Sequence, residues 1–137
     1  MALTPTVLTD GMLIINAQTI SDHSNKIEVP VTVDVQEDTA FGAGWKARVG
    51  GLKDAMLNVS LFNDYTAAQL DSIMWPLLGT VVTFEVRPTS AARSVTNPAY
   101  TGSILIAQWT PITGSVGQLV QLDMSFPTSG AVLRQTP

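Results

Sequence analysis

The residue types best suited to catalysis stand together in the chain as Ser21, Asp22 and His23. Nucleophilic hydrolysis needs a serine, a histidine and an aspartate arranged as a relay, with the histidine between the other two. Three consecutive residues cannot form that relay among themselves, and the chain has no cysteine to serve as another nucleophile. We therefore interpret His23 as a turn residue and predict no catalytic residue and no enzymatic activity.

Metal and cofactor binding have equally little support. Zinc sites use cysteine and histidine, and the chain contains no cysteine and one histidine. Asp10 with Asp22, or Glu37 with Asp38, would bind a cation only weakly, and acidic residues in loops are more often solvated. The sequence therefore predicts no metal and no cofactor.

The segment GAGWKARVGG, residues 42–51, has the glycine content of a phosphate-binding loop but lacks the Gly-Lys-Ser/Thr ending that such a loop requires. Trp45 beside Lys46 and Arg48 leaves two alternatives, a stacking platform for single-stranded nucleic acid or a contact with another protein. One aromatic ring and two cations favour the protein contact, because Trp and Arg are enriched at interface hot spots.

The composition favours a chain that assembles. Charged residues make up 13% of the 137 residues and hydrophobic residues 45%, whereas a typical soluble domain is about 25% charged. Interface cores are poor in charge, so we favour burial against other subunits over a monomer coated with Ser, Thr, Asn and Gln. The net charge of −4 argues against duplex binding, which needs a cluster of Lys and Arg.

The length fits one domain, residues 1–137. No apolar run reaches the roughly 18 residues of a membrane span, so we predict no membrane anchor. The N-terminal segment MALTPTVLTDG does not have the pattern of a signal peptide, and synthesis inside the cell is the simplest expectation.

Alternation of apolar and polar residues predicts that most of the chain is β-strand. The runs are a short one at MLIINA and longer ones at residues 27–37, 54–63, 80–88 and 97–127, the last interpreted as two strands joined by a Gly/Pro/Ser turn. Pro30 has no N–H for a ladder, so it should lie at an edge, at a bulge or at a position that is not hydrogen-bonded.

One segment has helical spacing instead. Leu70, Ile73, Met74 and Leu77 form the apolar stripe of a helix over about residues 66–76, which should pack on a flank of the β core. A capping box from Thr66 is expected at its start. Trp75 and Trp109 are both expected to be buried.

Two long segments interrupt the pattern. Residues 37–52 are Gly-rich and carry Phe41 and Trp45, and residues 88–99 are small and polar. Loops of this length are usually functional or mobile. The ends, residues 1–10 and 128–137, are rich in Thr, Pro and Ser and are interpreted as an N-terminal and a C-terminal arm.

The order of these segments resembles a known family. Over about residues 38–134 the segments come in a fixed order. They are a Gly-rich loop, then GLKDAMLNVSLFNDY, a helix ending in WPLLGT, then TVVTFEVRP, then NPAYTGSILIAQWTPITGSVGQL, and last a small-residue tail, SGAVLR. This order is similar to that of the tail tube proteins, or major tail proteins, of long-tailed non-contractile bacteriophages, particularly those of actinobacteria.

The resemblance implies a mainly β fold, a sandwich or open barrel with one flanking helix. It implies a structural virion protein that is made in the host cytoplasm and forms homo-hexameric rings. The rings would stack into a tube through which DNA passes without specific binding. Tape measure, terminator and tail tip proteins are the other expected partners.

Two sets of residues are then expected to matter for assembly. The inter-ring contact candidates are Phe41, Trp45, Lys46 and Arg48. The lumen-lining candidates are the acidic residues on polar strand faces, Glu28, Asp34, Glu85 and Asp123. An acidic channel repels phosphate, so DNA would slide through it, whereas a basic channel would hold DNA by counterion release.

Two other classes stay open at this point. Within a virion, the chain would be a tail terminator or a decoration protein. Outside one, it would be a monomeric β-sandwich binding module, for example for carbohydrate, that uses Trp45 and its loop.

Overall fold

The computed structural model describes residues 2–137, and the prediction of a mainly β chain is confirmed. Its strands are β1 (Met12–Ile15), β2 (Gln18–Thr19), β3 (Ser24–Glu28), β4 (Val31–Glu37), β5 (Arg48–Phe62), β6 (Val81–Arg87), β7 (Ala99–Leu105), β8 (Gln121–Pro127) and β9 (Leu133–Gln135). One short helix, α1 (Leu70–Met74), continues into a 3₁₀ turn at Trp75–Leu77. In the described part of the chain, no helix has the length and apolar character to cross a bilayer.

The strands form two antiparallel sheets. The five-stranded sheet has the order β2-β1-β6-β7-β9, and in the four-stranded sheet β3, β4 and β8 all pair with β5. Strand β5 has 15 residues, enough to pair with β4 along its first half and with β3 along its second. On its other side, β5 pairs with β8 from Met56 to Phe62.

The inner faces of the two sheets meet in one core, as the alternation predicts. Leu122, Met124 and Phe126 of β8 are buried beside the alternating apolar residues of β5. From the other sheet, Leu13 and Phe84 enter the same cluster. Each such side chain contributes roughly 1.5–3 kcal/mol when it is fully buried, and this sandwich holds the outer faces in place.

The predicted strand at residues 27–37 is divided into two at Pro30. β3 ends at Glu28 and β4 begins at Val31. The carbonyl of Pro30 still accepts a hydrogen bond from the N–H of Met56 at 3.2 Å, but its nitrogen has no proton to donate. The prediction of one strand over residues 27–37 was therefore wrong, because Pro30 separates two strands.

Residues 97–127 do not form a hairpin, and this expectation was wrong. β7 belongs to the five-stranded sheet and β8 to the four-stranded sheet, so residues 106–120 cross from one to the other. The Asn63 side-chain amide donates to the carbonyl of Pro111 at 2.8 Å and anchors the crossing. Alternation identifies a strand, but it does not identify the partner of that strand.

The helix is shorter than expected and starts later. Thr66 does not cap it; instead the N–H of Thr66 donates to Oδ1 of Asp64 at 2.9 Å, and Ala68 has a positive φ of 63° that is incompatible with a helical turn. Leu70 and Met74 are buried as predicted. Trp75 is 56% exposed, so the prediction that it is buried was wrong.

Two segments that were expected to be irregular are partly strand. β4 and β5 continue into the predicted loop at residues 37–52, so that the irregular part is confined to residues 38–47. In the expected C-terminal arm, β9 pairs with β7 at the edge of the five-stranded sheet. Residues 2–10 lie outside any strand or helix.

Candidate assembly surfaces

The outer face of the four-stranded sheet is a polar surface, which we call the polar face. Its members lie in cross-strand rows on β3, β5 and β8 and comprise Lys26, Glu28, Asn58, Ser60, Asp123 and Ser125. The Ser60 hydroxyl donates to Oδ1 of Asp123 at 2.5 Å. The Asn58 amide reaches Oε1 of Glu28 at 3.5 Å. These contacts orient the two carboxylates on the polar face.

Three of the four lumen-lining candidates lie on this side of the molecule. Glu28 and Asp123 belong to the polar face, and Asp34 lies on the same side of the sheet because it alternates with Val33 and Val35. Glu85 alternates with the buried Phe84 of β6, so its side chain is on the outer face of the other sheet. The structure therefore does not bring Glu85 together with the other three.

The negative charge of the Glu85 carboxylate is balanced by two arginines. The guanidinium of Arg93 donates to Oε1 of Glu85, with its Nε at 3.0 Å. Nε of Arg87 lies 3.5 Å from Oε2, which is an ion-pair distance without a hydrogen bond. Glu85 and Arg87 keep only 15% and 13% of their side-chain surface exposed. This cluster ties the loop at residues 88–99 to the sheet and does not present a free negative charge.

The loop at residues 88–99 is organised by one buried side chain. Asn97 is 5% exposed, and its Nδ2 donates to the carbonyls of Ala91 and Ala92 at 2.8 and 3.2 Å. Its Oδ1 accepts from the N–H of Thr89 at 3.1 Å. The loop is thus ordered from within, which its composition of small polar residues did not indicate.

The long hairpin of β4 and β5 projects away from the sandwich. All seven residues of β4 and the first seven of β5 are exposed, including Val31, Val33 and Val35 on one face. An isolated two-stranded ribbon is only marginally stable in water. Its exposed valines are therefore a candidate contact surface.

The four inter-ring contact candidates lie together at the end of this hairpin, which we call the hairpin tip. Phe41 and Trp45 are fully or almost fully exposed, at 109% and 90%. Ala47 donates its N–H to the Thr39 hydroxyl at 2.8 Å and so closes the tip. Lys46 is exposed beside Trp45. Arg48 lies opposite Glu37 in the ladder. The tip presents two large apolar side chains on a short closed loop.

Two edges of the four-stranded sheet are open within residues 2–137. β3 and β4 pair only with β5, and β8 forms its ladder only with β5. The N–H of Thr128 donates inward to Ala55 at 3.1 Å. Because N–H directions alternate along a strand, those of Asp123 and Ser125 point to the open edge. Open edges of this kind are templates for pairing with another chain.

His23 lies in the 3₁₀ turn at Ser21–His23, which confirms its prediction as a turn residue. Its Nδ1 is 2.9 Å from Oδ1 of Asp22 and its Nε2 is 3.3 Å from Oδ2 of Asp64. The Ser21 hydroxyl instead donates to the carbonyl of Leu13 at 3.3 Å. No relay is therefore formed. In the described chain, no group of three or more His, Asp or Glu residues is arranged to hold a metal ion.

The environment of the Asp64 carboxylate favours its ionised form. A hydrogen bond from the backbone N–H of Thr66 is the largest cause of a pKa below the ordinary 3.8, followed by one from the Thr66 side chain. His23 contributes a hydrogen bond and its charge. Asp64 thus connects the 3₁₀ turn at Ser21–His23 to the residues just before α1. Sequence spacing did not indicate this role.

The chain resembles known proteins at the level of the fold. No protein-family model matches the chain, and no curated protein matches it. Among solved structures, the chain is similar to a component of the "Virion of native gene transfer agent (GTA) particle", with a TM-score of 0.76 and 14% sequence identity. The alignment covers 96% of this chain and 100% of that one. At this identity the likeness establishes the fold, including its sandwich of antiparallel sheets.

Proposed function

We propose that the chain is a structural virion protein that forms hexameric rings, and that the rings stack into a tail tube for the passage of DNA. The observation that carries the proposal is the fold shared with a chain of a gene transfer agent virion over 96% of the present chain. The order of motifs that resembles tail tube proteins supports the same role. A monomeric binding module would leave the open edges and the exposed hairpin without a purpose.

Ring closure uses the two open edges of the four-stranded sheet. β8 of one copy lies beside β3 and β4 of the next, so that the sheets join into a closed barrel, which has no edges left. Within one copy, β3, β4 and β8 are all antiparallel to β5. They are therefore parallel to one another. Rotation about the ring axis preserves strand direction along that axis, so each junction between copies is a parallel pair.

The polar face lines the channel of this ring. On this side of the sheet, Glu28, Asp34, Asp54 and Asp123 contribute four negative charges and Lys26 one positive charge. Six copies give 6 × (−4 + 1) = −18 on the wall. Such a wall gives phosphates no cluster of cations to bind, so DNA would not be retained by counterion release. In this arrangement Glu85 faces outward with its arginine partners.

The hairpin tip provides the contact between rings. It projects beyond the sandwich and carries Phe41 and Trp45, which are the kind of side chains that dominate interface energies. Tape measure, terminator and tail tip proteins would meet the tube at its lumen and its two ends.

The proposal is tested with the purified 137-residue chain. Native mass spectrometry should detect rings of 6 × 14.6 = 87.6 kDa, and negative-stain microscopy at higher concentration should show hollow tubes. A decoration or terminator protein would give oligomers that do not extend into tubes. A particle that stays at 14.6 kDa at every concentration would instead support a monomeric binding module.

A further inference from the structure

Strand β5 separates two exposed apolar regions at opposite ends of the molecule. It starts at Arg48, beside the hairpin tip, and ends at Phe62, just before α1. Fifteen residues at about 3.3 Å per residue span roughly 50 Å. The tip carries Phe41 and Trp45 at one end of this span.

The other end of β5 carries a second set of exposed apolar side chains, which we call the helix-end patch. Its members come from the segment after β5, the 3₁₀ turn with the residues that follow it, and the connection before β8. They are Tyr65, Trp75, Leu78, Val81, Ile112 and Leu119, with exposures between 42% and 78%. Large apolar side chains grouped on a monomer surface mark an interaction site.

The chain segments that carry the helix-end patch are held together by hydrogen bonds. The Tyr65 hydroxyl donates to the carbonyl of Pro111 at 2.5 Å, and the indole of Trp109 donates to Asp71 at 3.2 Å. The N–H of Gly79 donates to the carbonyl of Ile106 at 2.7 Å. A patch on a fixed frame loses little conformational entropy when it binds, which favours affinity.

The charges of the two ends disfavour pairing of the patch with a second copy of itself. The segments that carry the patch, residues 61–81 and 106–120, contain Asp64 and Asp71 but no lysine or arginine, and Asp22 lies beside Asp64 through His23. The tip carries Lys46 and Arg48 beside Glu37 and Asp38, so it is neutral overall and offers the patch cations that a second copy of the patch does not. Opposite charges across an interface fix its orientation and disfavour like-to-like pairing.

We infer that the hairpin tip of one copy binds the helix-end patch of a second copy, head to tail. Because the two surfaces differ and lie at opposite ends, the contact is heterologous and repeats without closing. All copies in a stack then point the same way, and Trp45 with Lys46 meets a patch that is apolar and acidic. This inference rests on the proposed tube and names the surface that receives the tip.

The test uses the absence of cysteine from the chain. Two single variants, Trp45→Cys at the tip and Ile112→Cys at the patch, are mixed, assembled and oxidised. We expect a disulfide-linked dimer in the mixture and its loss when either variant is oxidised alone. Thr101→Cys, on the outer face of the five-stranded sheet, serves as the control partner and should not link to the tip.

The outcomes separate this inference from the proposed function. Tubes with a linked dimer support both. Tubes in which the tip links only to itself, or to neither partner, overturn the tip-to-patch contact and leave the tube intact. A linked dimer in material that never forms rings overturns the tube and retains the contact.

A second measurement does not depend on disulfide geometry. Trp45→Ala and Trp75→Ala each remove an exposed indole side chain, one from the tip and one from the patch. Each variant should raise the critical protein concentration for stacking at least about ten-fold, which corresponds to about 1.4 kcal/mol. Thr101→Ala should leave it unchanged. Unaltered stacking in both tryptophan variants would overturn the inference.

Discussion

The indole Nε1–H of Trp109 donates to Oδ1 of Asp71 across 3.2 Å. This bond ties the connection between the two sheets to the first turn of α1, and Trp109 itself is 7% exposed. The two other tryptophans, Trp45 and Trp75, are exposed. The same residue type therefore serves the core at one position and an outer surface at the other two.

Replacement of Trp109 should be costly to stability, whereas replacement of Trp75 should not. Trp109→Ala should lower the free energy of unfolding by about 3–5 kcal/mol, because it leaves a cavity. Trp109→Phe, which mainly removes the hydrogen bond to a carboxylate, should lower it by about 1.5 kcal/mol. Trp75→Ala should stay within about 0.5 kcal/mol. Urea denaturation measures all three; equal losses at the two positions would contradict the burial described above.

Asp64 should make the fold acid-sensitive. Its folded pKa lies below the ordinary 3.8, chiefly through the N–H of Thr66, so its ionised form stabilises the fold at pH values above the unfolded pKa. That contribution is lost as the pH falls below 3.8 through the folded pKa. The free energy of unfolding of Asp64→Asn should therefore decrease less between about pH 5 and pH 2 than that of the parent.

The matched control for this pH dependence is Asp38→Asn, which neutralises a carboxylate at the hairpin tip. It should retain the acid sensitivity of the parent chain. If Asp64→Asn and the parent lose stability equally on acidification, Asp64 is not a source of that sensitivity.

Ring closure through the edge of β8 should be blocked by one proline. The N–H of Ser125 points to the open edge, so Ser125→Pro removes a bond to a neighbour without breaking the ladder with β5. The variant should fold and remain monomeric in sedimentation velocity. Ser125→Ala keeps the N–H and should form rings like the parent. Normal rings from the proline variant would show that this edge is not the junction.

The acidic wall should determine whether DNA moves freely. Asp34→Lys together with Asp123→Lys adds 4 × 6 = 24 positive units to a ring, which cancels the formal 6 × −4 = −24. Tubes of this variant should retain duplex DNA at low salt and release it as salt rises. As a control, Thr101→Lys with Ser103→Lys places the same number of lysines on the other sheet and should retain none inside. Equal DNA retention by both variants would contradict the assignment of the polar face to the lumen.

Much of this architecture is encoded locally and could be predicted from the sequence. Alternation identified the buried faces of β5, β6 and β8, because a residue period of two places every second side chain in the core. The buried positions Leu70 and Met74 followed from helical spacing.

Other features depend on contacts that no local pattern records. The partner of β8 is set by the packing of two sheets, and Asn97 organises a loop by bonds to carbonyls that composition does not reveal. Glu85 has the same alternating position in its strand as the other acidic candidates. It differs from them because it lies in the other sheet and pairs with two arginines. Trp75 has the large apolar side chain of a typical core residue, but it lies in a turn that faces outward.

The most direct test of the tube is a helical reconstruction of the assembled chain by electron cryomicroscopy. We expect a sixfold cross-section whose inner wall is the four-stranded sheet, with Glu28 and Asp123 facing the channel and Glu85 on the outside. A tube whose channel is lined by the five-stranded sheet, with Glu85 facing inward, would contradict it.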